Sequence, residues 1–239
     1  MEIKKILAFN WKMNPKTLVE ALEIAKASDS NGVVIFPPFP FIEEAGKFLK
    51  KAKLGAQDLF WENPDKGGPF TGEVSAEELK SVGISYVIVG HSERRKLGEK
   101  DDVIAKKMKI AIDSGIIPIL CIGENGEEKK SGRTAEAIRR QLMAGLSLVK
   151  KGFLVAYEPV WAIGTGKPEA PDSAKETIKF IKTLLVKLGY PKNIKVIYGG
   201  SVDSKILKNY IDYKDIDGVL VGGASLKKEE IKKMIKCLN

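Results

Sequence analysis

"FLVAYEP", residues 153–159, is apolar from Phe153 to Tyr157 and then stops on Glu158 and Pro159. A strand with one wet face alternates apolar and polar residues. A short unbroken apolar run instead suits a strand covered on both faces, as in a parallel sheet. Seven other runs share the pattern: "KKILAFN" (4–10), "GVVIFPP" (32–38), "AKLGAQD" (52–58), "SYVIVGH" (85–91), "IIPILCIG" (116–123), "KVIYGG" (195–200) and "GVLVGG" (218–223).

Strands buried on both faces need helices to cover them, and the segments between the runs carry helical periodicity. In "PDSAKETIKFIKTLLVKLGYP" (171–191), Ala174, Ile178, Ile181, Leu185 and Leu188 form one apolar stripe; Asp172 is the expected N-cap, and Gly189 with Pro191 ends the helix. Ile138, Leu142, Leu146 and Val149 repeat the arrangement in residues 133–152. Eight strands alternating with helices in 239 residues predict a single-domain (β/α)8 barrel over 1–239, in preference to a doubly wound open sheet.

Composition narrows the class. The first residues carry charge and no small-residue cleavage site, and no apolar run approaches the ~20 residues that cross a bilayer, so a soluble, cytoplasmic protein without membrane attachment is expected. Cys121 and Cys237 lack the number and spacing of a disulfide framework or metal site and read as reduced thiols, with Cys121, Trp61 and Trp161 as packing residues. The net charge of +9 rests on lysine, with five arginines in the whole chain, which argues for a solvated surface rather than a nucleic-acid partner.

In a barrel, chemistry gathers at the C-terminal ends of the strands. The first run ends in Asn10 and Lys12, two apart and therefore on the same face of the strand; the fourth ends in His91 before the polar stretch "SERR"; the sixth ends in Glu158. An amide, a fixed cation, an imidazole and a carboxylate suit proton transfer at a carbon beside a carbonyl. Gly164, Ser201, Gly222 and Gly223 follow strands six to eight and offer backbone N–H groups and a hydroxyl for a phosphate, the diglycines letting a ligand approach the backbone. A small phosphorylated carbonyl compound is the expected substrate. Singly, each feature has a plainer reading: a structural histidine, a solvated carboxylate, one lysine among many, tight turns.

Taken together, "FNWKMN", "PPF", "GAQ", "TGEVS", "VGHSERR", "CIGE", "AYEPVWAIGTG", "YGGSV" and "DGVLVGGASL" closely resemble the triosephosphate isomerase family, in the family's order and along nearly the whole chain. The resemblance implies a TIM barrel that interconverts dihydroxyacetone phosphate and D-glyceraldehyde 3-phosphate through an enediolate, in glycolysis and gluconeogenesis, with no metal or organic cofactor. It implies Glu158 as the base, His91 as the electrophile, Lys12 and Asn10 as charge and hydrogen-bond donors, Glu93 as the charged partner and Ser92 in support. It further implies a mobile lid, with Pro159, Val160 and Trp161 as first hinge, Ala162, Ile163 and Gly164 as tip, and Thr165, Gly166 and Lys167 as second hinge. On closing, the Gly164 N–H would reach the phosphate, and Ile163 and Leu220 would press around Glu158. A neutral histidine paired with a glutamate base is the arrangement already worked out for this family.

The long irregular segment 58–73 departs from the family at Asp58, where an amide is usual, and is longer than usual. By resemblance it docks on a second subunit of a homodimer, with Thr71 near the partner's site. The sequence also admits a barrel aldolase with Lys12 as a Schiff-base nucleophile, a barrel kept as a binding scaffold, and a nucleic-acid binder.

Overall fold

The computed structural model describes residues 5–62 and 67–238; the predicted domain ends at 1–4 and 239, and residues 63–66 of the irregular segment, lie outside it. Eight parallel strands close into a barrel in sequence order. They are β1 (Ile6–Asn10), β2 (Val33–Phe36), β3 (Lys53–Ala56), β4 (Tyr86–Val89), β5 (Ile117–Ile122), β6 (Leu154–Tyr157), β7 (Val196–Tyr198) and β8 (Gly218–Val221), so every predicted run contains one. Closure is made by β1 against β8, with Ile6 opposite Gly218 and Phe9 opposite Val221. The helices are α1 (Leu18–Ser28), α2 (Ile42–Lys47), α3 (Ala76–Ser81), α4 (Ser92–Lys96), α5 (Asp101–Asp113), α6 (Gly126–Lys130), α7 (Thr134–Gly145), α8 (Pro171–Lys187), α9 (Lys208–Ile211) and α10 (Lys228–Lys236).

The unbroken apolar runs have a simple cause. Along β1, Ile6 and Ala8 point into the barrel with Val34, Phe36, Ile88, Ile119, Cys121, Leu154, Ala156, Ile197 and Leu220. Leu7 and Phe9 point outward into the layer shared with the helices. Alternation persists, but both destinations are dry.

Two helix details differ from the sequence reading. Asp172 is not the N-cap of α8: the helix begins at Pro171, whose fixed φ suits the first helical position, and Ala170 precedes it without a side-chain cap. Asp172 accepts instead from the Tyr213 hydroxyl at 2.9 Å and from Lys175 at 3.2 Å. In the other helix α7 stops at Gly145, so Leu146 and Val149 lie beyond its end, yet both remain buried.

Asp58 sits in a partly buried ion cluster. Its Oδ2 lies 2.8 Å from Arg94 and its Oδ1 2.6 Å from Lys107, which also pairs with Glu99. Burial raises the Asp58 carboxyl pKa and Glu99 adds to the rise, against the opposing pull of Lys107 and Arg94. The segment that follows is pinned at its base by the Phe60 and Phe70 rings, 4.6 Å apart, and by the Phe60 N–H on the Val74 carbonyl at 2.8 Å, leaving Thr71 exposed.

Candidate active site

Glu158 follows β6 directly and is 2 % exposed. The chain can turn there because Gly123 and Gly199 wall it: a Cβ on Gly123 would fall 1.7 Å from the Glu158 carbonyl oxygen, and one on Gly199 2.9 Å from Cγ. Glu158 Oε2 accepts the Ser92 backbone N–H at 3.0 Å. Oε1 lies 3.1 Å from His91 Nε2 but has no aligned hydrogen bond among the described residues.

His91 caps α4, and its Nδ1 accepts the Glu93 N–H at 3.2 Å. A nitrogen that accepts carries a lone pair, so this bond selects the neutral tautomer with its proton on Nε2, the edge facing Glu158. The short helix α4 is tied down by Arg95, which donates to the Gly90 carbonyl at 2.8 Å and to Asp101 at 2.6 Å. Its helical turn thereby presents His91, Ser92 and Glu93 together.

Asn10 and Lys12 share the site for a reason other than strand periodicity. β1 ends at Asn10, and Lys12 has φ 56°, a left-handed conformation for a non-glycine residue. Its N–H donates to Asn10 Oδ1 at 3.0 Å, and its carbonyl accepts from Gln57 Nε2 at 2.8 Å, while the same Gln57 amide reaches the Phe36 carbonyl at 2.9 Å. The Lys12 ammonium pairs with Glu93 at 2.5 Å. Burial alone would raise the Glu93 carboxyl pKa; the Lys12 hydrogen bond and charge outweigh it, with Lys96 assisting, and hold it below the usual value.

Asn10, Lys12, His91, Glu158, Ile163, Gly164, Ser201, Leu220, Gly222 and Gly223 line one cavity of about 520 Å³ at the C-terminal mouth of the barrel. Glu93 stands behind Lys12. The diglycines serve more than ligand access: a Cβ on Gly200 would fall 2.1 Å from the Tyr198 hydroxyl, and one on Gly222 3.3 Å from Lys12 Cε, whereas Gly223 has open space beside it.

Beyond Pro159 the chain makes a 3-10 turn, Val160–Ala162, and then passes Gly164 and Gly166, both at positive φ. Ala162 is fully buried, its carbonyl accepting from the Ser201 hydroxyl at 2.9 Å and the Thr165 hydroxyl at 3.0 Å, and the Lys167 N–H returns to Thr165 Oγ1 at 3.1 Å. Trp161 is more than the packing residue expected: its Nε1–H donates to Glu124 Oε1 at 2.8 Å, and the Tyr157 hydroxyl lies 3.2 Å from both Glu124 oxygens. Burial raises the Glu124 carboxyl pKa against these bonds. Cys121 is a buried thiol of the barrel interior; Trp61 packs on Phe60 at 5.3 Å under the Lys106 ammonium.

Gln57 and Glu124 are parts of the site that residue-by-residue reasoning left without a role. Both lie in stretches singled out for other reasons, "GAQ" and "CIGE".

Fold and site together define a (β/α)8-barrel enzyme. The family model described as triosephosphate isomerase matches residues 5–238. Among curated relatives, the triosephosphate isomerase of Aquifex aeolicus is 42 % identical over 98 % of this chain and 99 % of its own. That of Carboxydothermus hydrogenoformans is 43 % identical over 98 % of each, and that of Dictyoglomus thermophilum 40 % identical over 98 % of this chain and 99 % of its own. The chain belongs to the triosephosphate isomerase family.

Proposed function

We propose that the chain interconverts dihydroxyacetone phosphate and D-glyceraldehyde 3-phosphate, with Glu158 and His91 as the proton-transfer pair. The observation that carries the residue roles is the state of the Glu158 carboxylate. It is buried, one oxygen is held by the Ser92 N–H, and the other faces the cavity 3.1 Å from His91 Nε2. A buried carboxylate and an imidazole that face one cavity are placed to move protons on what lies between them.

Glu158 takes a proton from the carbon bearing the hydroxyl as the electrons move to the carbonyl oxygen, which His91 Nε2–H protonates; the neighbouring hydroxyl gives its proton back to His91 as its oxygen becomes the new carbonyl, and Glu158 returns its proton to the former carbonyl carbon. A neutral imidazole matches the weakly acidic enediol better than an imidazolium would. Asn10 and Lys12 stabilise the developing oxyanion, and the N–H groups of Gly164, Gly222 and Gly223 with Ser201 hold the phosphate. Residues 159–167 act as the lid, with Ile163 and Leu220 excluding water from the base. The Lys12 ammonium is paired with Glu93 at 2.5 Å and keeps donors for substrate, whereas a Schiff-base aldolase needs a neutral, unpaired amine.

The reading extends to a homodimer in the cytoplasm. Met13 and Leu97 are 93 % and 81 % exposed beside Lys12 and α4, and the segment 67–73 presents Thr71 to solvent. A second subunit would cover these side chains. No helix among the described residues is long and apolar enough to cross a membrane.

The test is the rate of triose phosphate interconversion in both directions, for the wild type beside Glu158→Gln. A fast wild type and a nearly inactive variant are expected. A folded wild type without turnover overturns the function, and an active Glu158→Gln overturns the base. Light scattering at micromolar concentration gives the mass, and a monomer overturns the dimer.

A further inference from the structure

Glu169 lies two residues beyond the segment 159–167, is 2 % exposed, and takes no part in the proton transfer. An apolar residue would be less costly there, because a buried carboxylate gives up its hydration. Its main chain is fixed on both sides. The Glu169 N–H donates to the Tyr198 hydroxyl at 3.2 Å, its carbonyl accepts the Tyr210 hydroxyl at 2.5 Å, and those two rings stack with centroids 4.5 Å apart. The carboxylate Oε1 accepts from the Ser173 hydroxyl and from the Lys129 ammonium, each at 2.7 Å.

Lys129 also reaches the other end of the segment. It stands in the last turn of α6, whose start is fixed by the Asn125 side chain accepting from the Glu127 and Glu128 N–H groups at 2.9 Å each. From there its ammonium lies 5.4 Å from the centre of the Trp161 ring and 3.9 Å from Glu124 Oε1, the oxygen that accepts the Trp161 indole N–H. Burial raises the Glu124 carboxyl pKa, Glu169 adds to the rise and Lys129 opposes it, so the two carboxylates and the cation act on one another. One ammonium thus stands between two buried carboxylates, one at each end of the segment.

We propose that Lys129 is a positioning residue that ties the two ends of the lid together through Glu169, so that residues 159–167 move as one body over Glu158. The assignment rests on the reading of that segment as a lid. Without the tie each end is held separately, the tip with Ile163 and Gly164 takes up more arrangements, and fewer of them cover the base. The flexible lysine stem lets the ammonium follow both carboxylates as the ends shift.

Hydrogen exchange read by mass spectrometry tests the tie without turnover, so a failure of the isomerase reading is seen separately as a wild type with no triose phosphate interconversion. The wild type is compared with Lys129→Met, Lys129→Arg, Glu169→Gln, the double variant Lys129→Met/Glu169→Gln, and Lys130→Met, which removes an exposed charge from the same helix. In Lys129→Met and in Glu169→Gln the amides of residues 160–169 are expected to exchange about tenfold faster, the scale of one charge-assisted hydrogen bond, and kcat/KM to fall by about tenfold. Exchange in β5 and β6 should stay at the wild-type rate, which a general loss of stability would not allow. Lys129→Arg and Lys130→Met should remain within about threefold of the wild type, and the double variant should match the single ones, because both remove the same bond. Unchanged exchange in either single variant, faster exchange that extends to β5 and β6, an arginine that fails to restore the segment, or effects that multiply in the double variant overturns the tie. Faster exchange with kcat/KM within about twofold of an active wild type overturns its part in catalysis.

Discussion

Gln57→Ala tests how the Lys12 ammonium is kept in place. A left-handed conformation costs a residue with a Cβ about 1–2 kcal/mol, and Lys12 adopts it at φ 56°. The Gln57 amide offsets that cost by donating to the Lys12 carbonyl at 2.8 Å, and it ties the same turn to β2 through the Phe36 carbonyl at 2.9 Å. Two such bonds contribute about 2 kcal/mol together. Their removal leaves the Asn10 and Glu93 contacts to hold Lys12 against its own backbone. A shift of about 2 kcal/mol multiplies the ratio of misplaced to competent Lys12 by about thirtyfold. The competent fraction scales the apparent substrate affinity, so kcat/KM should fall by about threefold to thirtyfold, mostly through KM. Denaturant unfolding should show a loss of about 1–2 kcal/mol in the same variant. A stability loss of that size with kcat/KM within twofold of the wild type would refute the reasoning, because Lys12 would then hold its conformation without Gln57.

Three further outcomes follow from particular contacts. At neutral pH, nitrogen-15 NMR of the single histidine should show Nδ1 unprotonated and Nε2 protonated, because Nδ1 accepts the Glu93 N–H; the opposite tautomer counts against His91 as the donor to substrate. Trp161→Phe removes the 2.8 Å donor to buried Glu124 and should cost about 1–3 kcal/mol and lower kcat. Burial already raises the Glu124 carboxyl pKa, so the folded state gains stability as pH falls through that raised value; the variant's deficit should shrink on acidification, and a deficit independent of pH would separate Trp161 from Glu124. Asp29 Oδ1 accepts three successive N–H groups, of Lys50, Lys51 and Ala52, at 3.0, 2.7 and 2.9 Å. Burial alone would raise its pKa, but these bonds outweigh it and lower the value, so their contribution is full above the unfolded value of 3.8 and is lost as pH falls through the folded one. Asp29→Asn should therefore be less stable by about 1–2 kcal/mol at neutral pH and converge with the wild type in strong acid.

Much of the architecture is written locally. An unbroken run such as Phe153–Tyr157 needs no knowledge of its partners to declare two dry faces, and eight such runs alternating with helical stripes leave a closed barrel as the compact solution. The ends of those strands converge by closure alone, which is why Asn10, His91 and Glu158 could be picked from residues 10, 91 and 158 of the chain. What the sequence could not state depends on pairs brought together from distant positions. Lys12 reaches the cavity by a left-handed turn that Gln57 holds from β3, although strand periodicity suggested a continued strand. Gly199 and Gly200 are small because Glu158 and the Tyr198 hydroxyl occupy the space beside them. At Asp58 each carboxylate oxygen meets a cation, Arg94 or Lys107, a pairing that joins residues far apart in the chain. Patterning along the chain fixes which faces must be dry; only the packed barrel decides which side chain fills the space behind each glycine and which cation each carboxylate meets, because those choices are set by distances across the fold.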